Sequence, residues 1–99
     1  MPLIGVSLNA VSSAPSTGAV VVFDVPHANI SMQVHTTGTG VSSTVVLQGS
    51  VDGVNFANLT SLGDDGIASV AGTAIIAARA LVTALSGTSP ALTATIAAA

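Results

Sequence analysis

The 99-residue sequence contains no cysteine, lysine, tryptophan or tyrosine, and one arginine, Arg79. Without cysteine it has neither disulfides nor thiolate metal sites. With a single cationic side chain it cannot present the clustered Lys and Arg that neutralise phosphates. Two phenylalanines alone give no base-stacking surface, so nucleic acid is excluded as an expected partner. Charged residues make up 5% of the chain, against about a quarter in an ordinary soluble domain.

Long apolar runs are also scarce. The hydrophobic fraction is 49%, but it consists mainly of Ala and Val dispersed among Ser, Thr and Gly. The charge-free tail from Ala80 to Ala99 is broken by Ser86-Gly87-Thr88-Ser89-Pro90, so it does not read as a membrane-spanning helix of about 20 residues. The N-terminal MPLIGVSLNAV lacks the basic segment of a signal peptide, so synthesis in the cytoplasm is the expectation.

What is present is a series of extended runs punctuated by turn chemistry, the pattern of one domain over residues 1–99. Leu3 to Leu8 alternates, and Ser12 to Gly18 is a loop. Ala19 to Val25 is β-branched and predicts a strand stopped by Pro26. Ile30, Met32 and Val34 alternate with Ser31, Gln33 and His35, predicting a strand with one wet face. Thr37 to Gly40 reads as a turn, and Gly63-Asp64-Asp65-Gly66 as another.

Between them lies VVLQGSVDGVNFANL, residues 45–59, which predicts a hairpin. A two-residue Asp52-Gly53 loop of type I′ would set Val51 opposite Val54, Gly49 opposite Phe56 and Leu47 opposite Asn58, with one apolar face. A longer turn beginning at Ser50 would shift that register. Both Phe23 and Phe56 are expected in the core.

Thr73 to Leu85 is ambiguous. Ala, Leu and Arg favour a helix, whereas Ile75, Ile76, Val82 and Thr83 favour a strand, and a strand is preferred because the other elements are strands. Ser86 to Pro90 then reads as a hairpin loop into a strand over Ala91 to Ile96. The fold expected is all-β, a single antiparallel β-sandwich, Ig-like or jelly-roll-like, of about seven short strands.

Enzymatic constellations are weak. Ser, His and Asp occur, but no G-x-S-x-G or similar context activates a serine. Asp24 and His27 flank Pro26 and read as a turn. His35 lies on a polar strand face, and Asp64-Asp65 lacks the spacing of an EF-hand loop. Gly38-Thr39-Gly40 has no phosphate-binding lysine. The sequons at Asn29 and Asn58 lack a secretory context. No enzyme activity, metal or cofactor is expected.

NISMQVHTTGTG, STVVLQGSVDGVNFANL and ARALVTALSGTSPALTATI together resemble small virion proteins of tailed phages. In those proteins a strand ending in MQV precedes a GS-x-DG-x-N-aromatic hairpin, and a late strand carries an Arg before a Gly/Ser/Thr loop. The similarity runs from about residue 29 to 96, with Phe56 where a Trp is common. It implies a capsid decoration, or cement, protein located on the virion, with the major capsid protein and copies of itself as partners. The trimer expected among those copies comes from this resemblance and from capsid geometry. The Ser50 to Phe56 hairpin is also similar to those of carbohydrate-binding sandwiches, which leaves a tail or receptor-binding module for host glycans as the alternative.

The candidate docking residues are Pro2, Leu3, Ile4, Val6, Leu8 and Val11. They form an apolar, uncharged segment within residues 1–18, set off by the Ser/Pro/Gly loop, and read either as a docking arm or as an ordinary first strand.

Overall fold

The computed structural model describes residues 3–72 and 74–99. Seven strands follow in order: β1 (Leu3–Val11), β2 (Ser16–Thr17), β3 (Val21–His27), β4 (Ile30–Ser50), β5 (Ala57–Gly63), β6 (Gly66–Val70) and β7 (Ile75–Ala98). Every pairing is antiparallel, and no helix occurs among the described residues. The all-β expectation therefore holds, and the β-branched residues of Ile75 to Leu85 prevail over the helix propensity of its alanines. Thr73, which begins that segment in the sequence, lies outside the described residues.

The strands belong to one hydrogen-bonded sheet rather than to two separately bonded ones. β4 and β7, of 21 and 24 residues, pair from Ile30↔Ala98 to Ser50↔Ala77. The shorter strands flank this ribbon. β1, β2 and β3 succeed one another along β7, while β5 and β6 do so along β4.

The ribbon is doubled over. At about 3.3 Å per residue a straight strand of β7's length would run about 79 Å, yet the longest dimension of the molecule is 40 Å and the others are 24 and 18 Å. The ends meet accordingly. His27 pairs with Ile75 at one end of β7, and Ile30 pairs with Ala98 at the other. Only Ala28 and Asn29 separate His27 from Ile30, and three Cα steps reach about 11 Å at most, close to the spacing of packed sheet faces.

The bend corrects two local expectations. Thr37 to Gly40 and Ser86 to Pro90 do not form hairpins. They are the facing midpoints of β4 and β7, where the register shifts around Thr39↔Thr88 while pairing resumes on both sides. Gly38 and Gly87 adopt φ of 123° and 129°, a region that side chains rarely allow. Pro26 likewise does not end its strand. It sits in the gap between Val22↔Ala77 and His27↔Ile75, where no ladder bond needs its missing N–H.

Both halves of the doubled sheet supply one core. Ile30, Met32, Val34, Leu92, Ala94 and Ile96 come from one half, and Val45, Leu47, Ile75, Ala80 and Val82 from the other; Phe23 and Leu8 join them. Val45, Leu47 and Gly49 share the buried face expected from their alternation.

Candidate interaction surface

The longitudinal edges of the doubled sheet differ. Along one, β1 of one half meets the β2–β3 segment of the other and closes the edge into a seam. Gly18 N donates to Ala80 O and Ala19 N donates to Ser7 O, each at 2.7 Å. Ser7 Oγ donates to Ala19 O at 2.7 Å and accepts from Ala80 N at 2.9 Å. β7 is paired to β2 at Leu81 and Val82 and to β3 at Ala77 and Ala78. In the gap between those pairings, the Ser7 hydroxyl stands where a strand carbonyl would otherwise accept the Ala80 amide. Close approach is complete here: a Cβ on Gly5 would lie 2.8 Å from the Val21 side chain, and one on Gly18 would collide with Ser7 Oγ.

Gly5 and Val21 are half-buried against one another, and their neighbours on either side face outward. Ile4, Val6 and Val22 are 68%, 52% and 70% exposed, and Val20 is exposed as well. Four aliphatic side chains thus line the outside of the seam, and no charged residue precedes Asp24 in the sequence.

The expected docking set is divided by this geometry. Residues 3–11 form a strand paired with β7 along its length, so this stretch is the first strand of the sheet and not an arm separate from the body. Leu8 is buried and Val11 packs on the core, because the register slips between Val6 and Leu8. Pro2 and the Leu3 side chain lie outside the described residues. Ile4 and Val6 remain available at the surface. Val20 and Val22 are not singled out by the sequence, where a β-branched run reads as buried; the one trace of them there is that residues 1–23 carry no charge.

The 51–56 loop differs from the two-residue turn expected. Gly49 pairs with Ala57 and Gln48 with Asn58, then the register slips so that Leu47 meets Thr60. The reason is a local network. Asp52 Oδ1 accepts from Val54 N and Asn55 N, both at 2.8 Å, and from Ser50 Oγ, while Oδ2 accepts from Asn55 Nδ2. Ser50 Oγ in turn accepts from the Asp52 and Gly53 amides. A carboxylate that collects amides this way stabilises a wider loop than Asp-Gly alone would make.

Val51 and Val54 are left exposed, and Leu59 rather than Phe56 fills the space at Gly49. Phe23 is in the core as expected, but Phe56 is only half-buried. Arg79 lies over its ring, 4.3 Å from the centroid, and donates from Nε to Gln48 Oε1 while Gln48 Nε2 donates to Asn58 Oδ1. This ladder crosses β7, β4 and β5 on the outer face and occupies the polar groups within it.

The Asn55 and Val54 amides, then the Asn55 side chain and Ser50 hydroxyl, hold the Asp52 carboxyl well below the usual carboxylate range. A depressed folded-state pKa contributes stability above the unfolded value, near 3.9, and loses it as pH falls from there toward the folded value. The expected result is that the Val54 and Asn55 amide resonances titrate with a midpoint clearly under pH ~3.9. A midpoint at the ordinary value would remove the assigned network.

Two further carboxylates serve the bend. Asp65 Oδ1 accepts from Thr36 N and Thr36 Oγ, and Asp64 Oδ1 accepts from Ser43 N, so the Gly63–Gly66 corner clips the two halves of β4 beside its midpoint. His35 Nδ1 lies 3.7 Å from Asp65 Oδ2 with both side chains well exposed, a geometry worth little. His27 packs edge-on against Phe23, and the Asp24 side chain lies outside the described residues. Among the described residues there is no cavity and no group of three or more His, Cys, Asp or Glu placed to hold a metal. The chain matches no protein-family model, no curated protein and no solved structure.

Proposed function

We propose that this chain is a non-enzymatic structural protein of a phage virion, a decoration or cement protein that binds the outside of an assembled capsid and stabilises it. The observation that supports this reading is the outer side of the seam, where Ile4, Val6, Val20 and Val22 are exposed on a stretch without a charge. The phage setting comes from the resemblance of residues 29–96 described above. Exposed aliphatics on an uncharged stretch suit a contact made mainly by burial, here with the major capsid protein.

The mechanism is linkage. A protein that binds the assembled shell and not its separated subunits shifts the equilibrium toward the shell. Many copies acting on one lattice make a small contribution from each sufficient, and bridging between subunits raises the effective concentration at every contact.

The test is to heat capsids with the protein and with an Ile4→Lys/Val22→Lys variant. The native chain is expected to raise the capsid melting temperature with little dependence on salt, since the contact carries almost no charge. The variant is expected to lose the effect while keeping its own melting temperature, because both side chains are already in solvent. Deleting residues 2–11 is a poorer test, since it removes a strand of the sheet. An unchanged capsid melting temperature together with binding to host glycans would favour the receptor-binding alternative. The aromatic faces give that alternative little support: Phe23 is buried and Arg79 covers Phe56.

A further inference from the structure

The edge opposite the seam is open. Among the described residues, β5 and β6 each pair with β4 alone, which leaves the outward backbone N–H and C=O groups of both without a strand partner. Natural sheets guard such edges with charges, prolines, bulges or very short strands, because an unguarded edge is a template for another strand. β5 carries one of these devices, the register slip between Asn58 and Thr60. β6 carries none within it. It has no charge and no proline, and its five residues pair with Ile30–Val34 in unbroken register. Its outward side chains are Ser69 and Ile67, the latter 67% exposed.

We infer that β6 is a self-association edge, on which β6 of a second copy of this chain adds antiparallel about a two-fold axis. The choice of a second copy rests on charge. Antiparallel pairing of a strand with itself brings each residue against its own sequence reversed, so any charge on the strand would meet a like charge nearby, at a cost. With the axis at Ala68, Gly66 faces Val70 of the other copy and Ile67 faces its Ser69. The two Ile67 side chains become diagonal neighbours about 7–8 Å apart, within reach of one another. Asp65, the nearest acid in sequence, falls opposite Ala71 and is kept from its own counterpart. His35, on the outer face of the adjacent β4 strand, is one position beyond the pairing of Val34 with Gly66 and lies toward the same end as Asp65.

Such an interface is isologous and closes after two copies. It is independent of the capsid reading, because it uses neither the seam nor any capsid residue, and it puts two-fold symmetry in place of the three-fold expectation drawn from the resemblance.

The test is sedimentation equilibrium of the whole chain at micromolar concentration, alongside Ile67→Lys/Ser69→Lys and the seam variant Ile4→Lys/Val22→Lys. The native chain and the seam variant are expected to be dimers. The β6 variant, whose new side chains replace exposed ones, is expected to be a monomer with an unchanged β spectrum and a dissociation constant raised about tenfold or more by like charges across the axis. If that variant does not fold, amide exchange of the native chain decides. The outward amides of β6 are expected to gain protection as the concentration rises from nanomolar to micromolar. A monomeric or trimeric native chain, a β6 variant that stays dimeric, or concentration-independent exchange in β6 would each overturn the inference.

Discussion

Replacing Gly87 by alanine is expected to destabilise the protein by about 3 kcal/mol or more, combining a disallowed backbone conformation with overpacking. Gly87 has a φ of 129°, and a Cβ there would lie 2.8 Å from the Val41 Cα and 3.1 Å from the carbonyl oxygens of Gly40 and Thr39. These are backbone atoms of the facing strand and cannot rotate away. Gly38 is constrained in the same way from across the ribbon: its φ is 123°, and a Cβ would lie 2.8 Å from the carbonyl oxygens of Ser89 and Thr88. Each glycine lets the other strand's backbone pass through the bend.

Gly40 supplies the contrast. Its φ is 61° and nothing lies within 4 Å of a Cβ, so alanine there costs only the left-handed conformation, about 1 kcal/mol. Thermal unfolding of the three alanine variants checks the order. For a domain of this size, 3 kcal/mol lowers Tm by about 15 °C, and Gly40→Ala is expected to fall about a third as far. Equal losses at Gly40 and Gly87 would mean that backbone contact does not decide the bend.

The same glycines mark what was legible in the sequence and what was not. Period-two alternation over Ile30 to His35 and over Leu92 to Ile96 predicts strands with the buried face that is found, since a half-buried strand must alternate whatever its partner. Thr37-Gly38-Thr39-Gly40 announces positive φ just as plainly. It does not say whether the strands on either side fold back on each other or stay paired to a third. That depends on β7, some fifty residues away, so a bend in a doubled ribbon looks locally like a hairpin.

The 51–56 loop takes the longer form that begins at Ser50 in place of the two-residue turn, for a related reason. Asp52-Gly53 favours a tight turn by conformation, but Ser50 and Asn55 offer further hydrogen bonds that favour the wider loop and shift the register with it. Of the proposed docking surface, the first strand contributed Ile4 and Val6 to the expectation. Val20 and Val22 become neighbours of that strand only through the seam, which no local pattern announces.

One hydroxyl joins the backbone hydrogen bonds that close the seam. Ser7 is 6% exposed and sits in a run, LIGVSLNAV, whose alternation alone would put it and Leu8 on opposite faces. The slip between Val6 and Leu8 turns both inward. There the hydroxyl both donates to Ala19 O and accepts from Ala80 N, a buried amide at a position where β7 has no strand carbonyl to meet.

Ser7→Ala removes the acceptor and leaves that amide unpaired. Stranding a buried donor costs about 1–3 kcal/mol, more than the net worth of an ordinary hydrogen bond, so a fall in Tm of about 10 °C is expected for this substitution. Ser7→Thr keeps the oxygen but adds a methyl where the backbones of Gly18 and Ala80 already close the space, and it is not expected to restore stability. Amide exchange separates a local loss from a general one. Ala80 N is expected to lose protection in Ser7→Ala well before the amides of β5 and β6, which lie along the other edge. Retained protection at Ala80 would show that another acceptor serves it, and the seam would then be held by its backbone hydrogen bonds and side-chain packing without the Ser7 hydroxyl.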